Sequence, residues 1–270
     1  MKLNTLVILA TLGLVSSNIN ANTNPTQPTD RLEKILSSEL LRVCIWPDYY
    51  TITFRNPRTQ SLEGIDIDMA YALAEYLNTD VEFIDSSFAS LAENLLNDHC
   101  DIAMHGIGVR EDRAKFMDFT QPHLRSGIYA VGRTNNTHIK QWQDIDQPGN
   151  IVAVQKGTYM EPVMLEYLQH AELQVVDDFL AREQEVLAGR ADVFMTDYPY
   201  GLRMADLTNW AFLIEPPEPF ALTDYAYAIP LNEPKWLETV NQFIGEKKND
   251  GTLSSFAAKH GLSAIVVLSD

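Results

Sequence analysis

Few side chains in this sequence offer chemistry by their type and position. Arg113 carries a planar fork of donors that matches a carboxylate bidentately, which a lysine cannot do. Its plain alternative is a surface ion pair with Glu111 or Asp112. Thr158 stands just before a helical stretch, where its hydroxyl and nearby amides meet the positive end of the helix or simply cap it. Asp197 closes an apolar run of strand length and precedes Pro199, a place for a site carboxylate or for a cap. Cys44 and Cys100 are the two cysteines, and they read equally well as a bridge or as two small buried side chains in separate strands. Cys44 has no close Cys or His neighbour, and His99 beside Cys100 lacks ligand spacing, which argues against a metal. The chain has no Gly-rich phosphate loop and no nucleophile elbow, so no cofactor is expected.

The elements that must hold these groups follow from length and pattern. The 270 residues allow one large or two medium domains. The formal charge of -17 repels phosphate backbones and anionic lipid, so nucleic acid is not expected as a partner. Met1-Lys2, the apolar run from Leu6 to Val15 and the polar stretch ending at Ala21 have the parts of a cleavable export signal, placing a signal peptide over 1–21. That run is well short of the ~18 apolar residues a membrane span requires. Residues 22–39, opening with Pro25 and Pro28, read as a flexible leader.

From Leu40 onward strands alternate with helices. Leu41 to Trp46, Val81 to Ile84 and Asp101 to Met104 read as strands. Between them lie helices after Gly64, with Met69, Ala72, Leu73, Tyr76 and Leu77 on one stripe, and over Ser90 to Leu96. The pattern repeats with strands over Ile151 to Val154, Leu173 to Val176 and Ala191 to Met195, and helices over Tyr159 to His170 and Phe179 to Ala188. Two similar α/β lobes with parallel sheets are expected, crossed at Ile128 to Arg133 and Tyr225 to Pro230, with a helix over Lys235 to Lys247 returning to the first lobe. Open α/β sheets bind ligands outside the carboxyl ends of their strands, which directs attention to the loops after Trp46, Met104, Val154 and Met195.

Those loops carry a resemblance. The stretches Leu41 to Tyr49 and Gly64 to Ala70 are similar to the opening of the family 3 extracellular solute-binding proteins, and Cys100 to Val109 running into Arg113 and Phe116 to Pro122 resembles their most diagnostic segment. Gly157-Thr158 and Gly189 to Asp197 extend the likeness into the second half. The cysteines and Ile145 to Gly149 also resemble the cyclohexadienyl dehydratase branch. The resemblance implies a two-lobed, type II periplasmic-binding-protein-like α/β fold, with lobe 1 over 40–127 and 224–270 and lobe 2 over 128–223. It further implies a monomer in the periplasm that delivers a small-molecule ligand, a zwitterionic amino acid, to an ABC permease of the inner membrane. A sensor for a membrane receptor is an alternative.

By that resemblance, Arg113 takes the ligand carboxylate with Thr158, and Asp197 takes the ammonium. Tyr49, Phe88 and Trp46 line the side-chain end, which favours a neutral or aromatic amino acid. Amides at Gly106 and Gly108 complete the set, although several relatives carry a serine where Gly108 stands. His105 beside that loop is a candidate ligand contact or pH-sensitive group, whereas Arg110 and Arg125 are expected to be solvated. Asp66 and Asp68 are expected to be helix caps. The dehydratase alternative needs an acid two residues after the threonine, and Met160 stands there. Glu161 is adjacent, but one step at a helix start turns a side chain by about 100°, and His123 replaces the tyrosine of the usual Pro-Tyr pair, which leaves His105 or a repositioned Glu161 as the alternative acid.

Overall fold

A computed structural model describes residues 30–269. The expected export signal and the start of the leader lie outside them. In chain order the first part comprises α1 (Arg31–Ser38), β1 (Leu40–Ile45), the short strands β2 (Asp48–Tyr49), β3 (Thr53–Arg55) and β4 (Leu62–Glu63), α2 (Ile65–Leu77), β5 (Asp80–Asp85), α3 (Leu91–Leu96), β6 (Ile102–Gly108), β7 (Asp118–Phe119) and β8 (Leu124–Ser126). The middle comprises β9 (Tyr129–Arg133), β10 (Ile151–Gln155), α4 (Met160–Tyr167), β11 (Glu172–Val176), α5 (Phe179–Leu187), β12 (Val193–Thr196), α6 (Tyr198–Leu207) and β13 (Ala211–Ile214). The chain then returns through β14 (Thr223–Ile229), α7 (Pro234–Asn249) and α8 (Thr252–Lys259).

Two sheets result, one per lobe. The first runs β5-β1-β6-β14-β7 with β8 beside β14, and the second runs β11-β10-β12-β9-β13. A βαβ connection makes β1, β5 and β6 parallel in one and β10, β11 and β12 parallel in the other. The sheets are mixed rather than wholly parallel, because β14 enters the first from the other lobe and runs antiparallel to β6, while β9 enters the second and runs antiparallel to β12. The segments expected as crossings are therefore mostly these two strands. The chain changes sheets at Gly127-Ile128 and between Ile214 and Thr223, and the Ile128 amide donates to the Phe220 carbonyl at 2.9 Å, tying one crossing to the other.

Part of the expected leader is ordered structure. Asp30 caps α1 by accepting from the Glu33 amide at 2.9 Å, and Ile35 is buried against the first lobe. Arg31 and Arg42 both donate to the buried Asp101, at 2.9 and 2.7 Å. That pairing across some seventy residues of sequence fixes the helix. At the start of α2, Gly64 has φ +133, and a Cβ there would lie 2.2 Å from the Ile52 carbonyl oxygen, so only glycine fits. The α7 helix seats on the first lobe, where the Trp236 indole donates to the Asp101 carbonyl at 2.9 Å.

Cys44 of β1 and Cys100 before β6 form a disulfide, with Cα atoms 5.6 Å apart. It sits in a small apolar cluster with Leu91, Leu95, Ile107 and Met117, separate from the main core. Constraining a loop of 56 residues in the unfolded chain is worth about 4 kcal/mol. Replacing both cysteines by alanine should lower the unfolding free energy by about that amount in a urea titration, and a loss under about 1 kcal/mol would contradict the assigned contribution.

Candidate functional site

The loops at the carboxyl ends of β1, β6, β10 and β12 converge between the lobes. There they enclose a cavity of about 20 Å³, room for about one water. The first lobe contributes Tyr49, Phe88, Gly106, Gly108, Arg113 and Tyr225 to its wall, and the second contributes Thr158, Tyr159, Met160, Phe179 and Asp197.

Arg113 lies in a short 3-10 turn after β6 and is buried. Its guanidinium donates to the Gly108 carbonyl at 3.0 Å and, across the lobes, to the Gly157 carbonyl at 2.8 Å. Among the described residues no carboxylate pairs with it. Burial, with Arg110 nearby, pushes its pKa down to about 10, so it remains a cation at neutral pH. Gly157 has φ +78, the left-handed turn that aims its carbonyl at the arginine.

Asp197 is buried at the end of β12 and does two jobs at once. One carboxylate oxygen accepts from the Tyr200 amide at 3.3 Å, capping α6, and the other accepts from the hydroxyls of Tyr225, at 2.8 Å, and Tyr49. Burial raises its pKa, and the donors from Tyr49, Tyr225 and Tyr200 oppose that rise. The tyrosines themselves are held neutral, since burial beside this carboxylate lifts Tyr49 and Tyr225 well above 10.0. Tyr49 and Tyr225 come from the first lobe, so Asp197 is gripped across the cleft. The cavity thus has a buried cation on one lobe and a buried carboxylate on the other, and among the described residues neither forms a direct ion pair, although Asp112 acts on Arg113 and Arg182 on Asp197 at longer range. As it stands the cavity has room for about one water, so a small dipolar guest that meets both charges would enter only with the lobes parted.

The remaining anticipated residues fall into three groups. Tyr49, Phe88, Gly108 and Thr158 reach the cavity wall, although the Thr158 hydroxyl donates to the Gln155 carbonyl at 2.8 Å and does not cap α4. Gly106 reaches the wall too, but its amide is not free, since it donates to Asp66 at 2.8 Å. Trp46 and His105 lie one layer back. Trp46 stacks on Phe179 with ring centroids 3.9 Å apart, and the His105 ring stands edge-on to Phe88 at 4.9 Å. His105 is fully buried, and burial beside Arg113 lowers its pKa to about 3. It is neutral through the physiological range and is not among the residues of the wall, which lends no support to its expected role as a ligand contact or pH-sensitive group.

Other residues expected to be ordinary hold the loops in place. Asp66 is no cap: it accepts from Gly106, from His123 at 2.9 Å and from the Tyr227 hydroxyl at 3.3 Å, fixing the glycine loop from below. Asp68 pairs with Lys259 and His260, each at 2.7 Å. Arg110 is not merely solvated, since it donates to the Thr158 carbonyl at 3.0 Å and so joins the lobes beside Arg113. Arg125 pairs with Asp224. Glu161 turns back to accept from the Gly157 amide at 2.7 Å, whereas Met160 faces the cavity. Sequence reasoning missed Tyr159, Phe179 and Tyr225. The rule of carboxyl strand ends would have reached Phe179, which follows β11, had that loop been inspected.

Known proteins resemble this chain in sequence and fold. Residues 41–263 match the family described as bacterial extracellular solute-binding proteins, family 3. The chain is 30% identical over 224 residues to cyclohexadienyl dehydratase of Pseudomonas aeruginosa, covering 83% of each chain. It is 25% identical over 198 residues to the L-cystine-binding protein TcyJ of Escherichia coli, covering 73% of this chain and 74% of that one. Among solved structures, an ancestral amino acid-binding protein, a precursor of cyclohexadienyl dehydratase, superposes with a TM-score of 0.78 at 30% identity, over 85% of this chain and 98% of the other. With two sheets closing on one cleft and a match along most of its length, this chain belongs to the family 3 bacterial extracellular solute-binding proteins.

Proposed function

We propose that this protein is exported to the periplasm, closes its two lobes around a zwitterionic amino acid and delivers it to an ABC permease of the inner membrane. The observation that carries this reading is the pair of buried, unpaired charges on one cavity, Arg113 from the first lobe and Asp197 from the second. Removing a charge from water without a partner costs several kcal/mol, and a carboxylate and an ammonium brought by one guest offset both costs together. The guanidinium fork suits the carboxylate. An ammonium, with three donors, suits Asp197 in exchange for the tyrosine hydroxyls. Beyond Arg113 and Asp197 the cavity wall holds no other charged side chain, which supports an uncharged side chain on the guest.

Closure follows from the same contacts. Tyr49 to Asp197, Arg113 to Gly157 and Arg110 to Thr158 are all made between lobes and are lost when the lobes part. A guest that bonds to both lobes favours the closed form by its differential affinity for it. Relatives named for amino-acid binding and the family match along 41–263 agree with this reading.

The dehydratase reading has one specific support, the name of the Pseudomonas aeruginosa relative. The chemistry needs an acid over the leaving hydroxyl in a closed pocket. At the relevant point the wall presents the thioether of Met160, and Glu161 is committed to the Gly157 amide. Binding is therefore favoured over turnover.

Calorimetric titration against a panel of amino acids should give saturable binding to the purified protein. Arg113→Ala should weaken that binding by about 100-fold or more, equivalent to about 3 kcal/mol, with circular dichroism unchanged. Unchanged affinity would reject the site. Prephenate incubated with the wild type should give no phenylpyruvate above the uncatalysed rate, and turnover abolished by Glu161→Gln would establish the enzyme instead.

A further inference from the structure

Phe179 is the first residue of α5, placed there by Asp178, which accepts from the Ala181 amide at 2.6 Å. Its ring reaches out of the second lobe and stacks on Trp46 of the first at 3.9 Å. The Arg182 guanidinium lies 3.9 Å from the centroid of the same ring. Two planar groups that close to one centroid must occupy opposite faces, so the phenyl ring is clamped from both sides.

Arg182 is otherwise unexplained. It is buried, donates once, to the Met195 carbonyl at 2.7 Å, and has Nε and one terminal nitrogen without a hydrogen-bond partner. Among the described residues no carboxylate pairs with it. Its charge rests on the faces of Phe179, Phe194 and Tyr200, the last two at 4.6 Å, with Glu183 and Asp197 favouring it at longer range. A buried cation spent in this way makes sense if the position of the ring matters.

The ring separates two spaces. On one side is the cavity of about 20 Å³ that holds Arg113 and Asp197. On the other is an inter-lobe groove of about 570 Å³ bordered by Trp46, Phe54, Arg55, Tyr200 and Arg203. Phe179 is the one residue on both walls. One face of the Trp46 ring is covered by it.

We propose that Phe179, positioned by Arg182, is the wall that limits the ligand to amino acids with short, uncharged side chains and closes off the groove into which longer ones would extend. This rests on the amino-acid reading of the cavity and narrows its ligand class. It departs from the aromatic ligand that the first-lobe rings alone suggest.

The test is calorimetry with alanine, serine, glutamine, phenylalanine and arginine against the refolded full chain and two variants, with melting curves to confirm folding. The wild type should prefer alanine or serine over glutamine and phenylalanine by about tenfold or more. Phe179→Ala should gain about tenfold or more for glutamine or phenylalanine while holding alanine within about threefold. Arg182→Met should shift the preference in the same direction, a change that a purely structural role would not produce. If Arg182→Met does not fold, Phe179→Ala carries the test. A wild type that binds phenylalanine or glutamine as tightly as alanine, or a Phe179→Ala profile identical to wild type, overturns the wall and leaves the amino-acid reading standing. Binding of none of the five by either protein overturns both.

Discussion

The structure turns on a buried guanidinium that, among the described residues, forms no ion pair with an acid. Arg113 is held by two main-chain carbonyls, one from each lobe, and burial lowers its pKa while leaving it charged. Carbonyl dipoles only partly replace the water it has lost, so the site keeps an unmet demand for negative charge. Asp197 presents a related case on the opposite lobe, with three hydrogen-bond donors and, among the described residues, no ion pair, although the charge of the buried Arg182 acts on it. In the proposed function a single guest neutralises both, which neither lobe alone can do.

Much of the fold serves to hold these two groups where they are. The β6 strand delivers the glycine loop, and Asp66 fixes that loop from below by accepting the Gly106 amide. The ring of Tyr49 fits against Gly106 because a Cβ there would come within 2.8 Å of it. On the other lobe the left-handed turn at Gly157 presents a carbonyl to Arg113, and Glu161 holds the amide of the same glycine. Glu161 is therefore occupied with loop geometry, and a scaffold also found in a dehydratase relative here carries a methionine at the cavity.

The elements built from local contacts were legible in the sequence. Periodicity located α2, α5 and the parallel strands to within a few residues, and the rule of carboxyl strand ends led to the loops in which the family resemblance then singled out Arg113, Thr158 and Asp197. What escaped depends on partners distant in sequence. The α1 helix is fixed by Arg31 reaching Asp101, and Asp66 looks like a cap until Gly106 and His123 are brought to it. Tyr225 was hidden because β14 was read as a crossing, although it is a central strand of the first sheet. Phe179 stands in the sequence only as the first residue of a helix, and its stacking on Trp46 depends on a partner from the other lobe.

The most direct measurement is a crystal structure of the protein with a bound amino acid. The account predicts the ligand carboxylate within hydrogen-bond distance of the Arg113 guanidinium and its ammonium within hydrogen-bond distance of Asp197. A ligand bound elsewhere, or one whose carboxylate points away from Arg113, would contradict it.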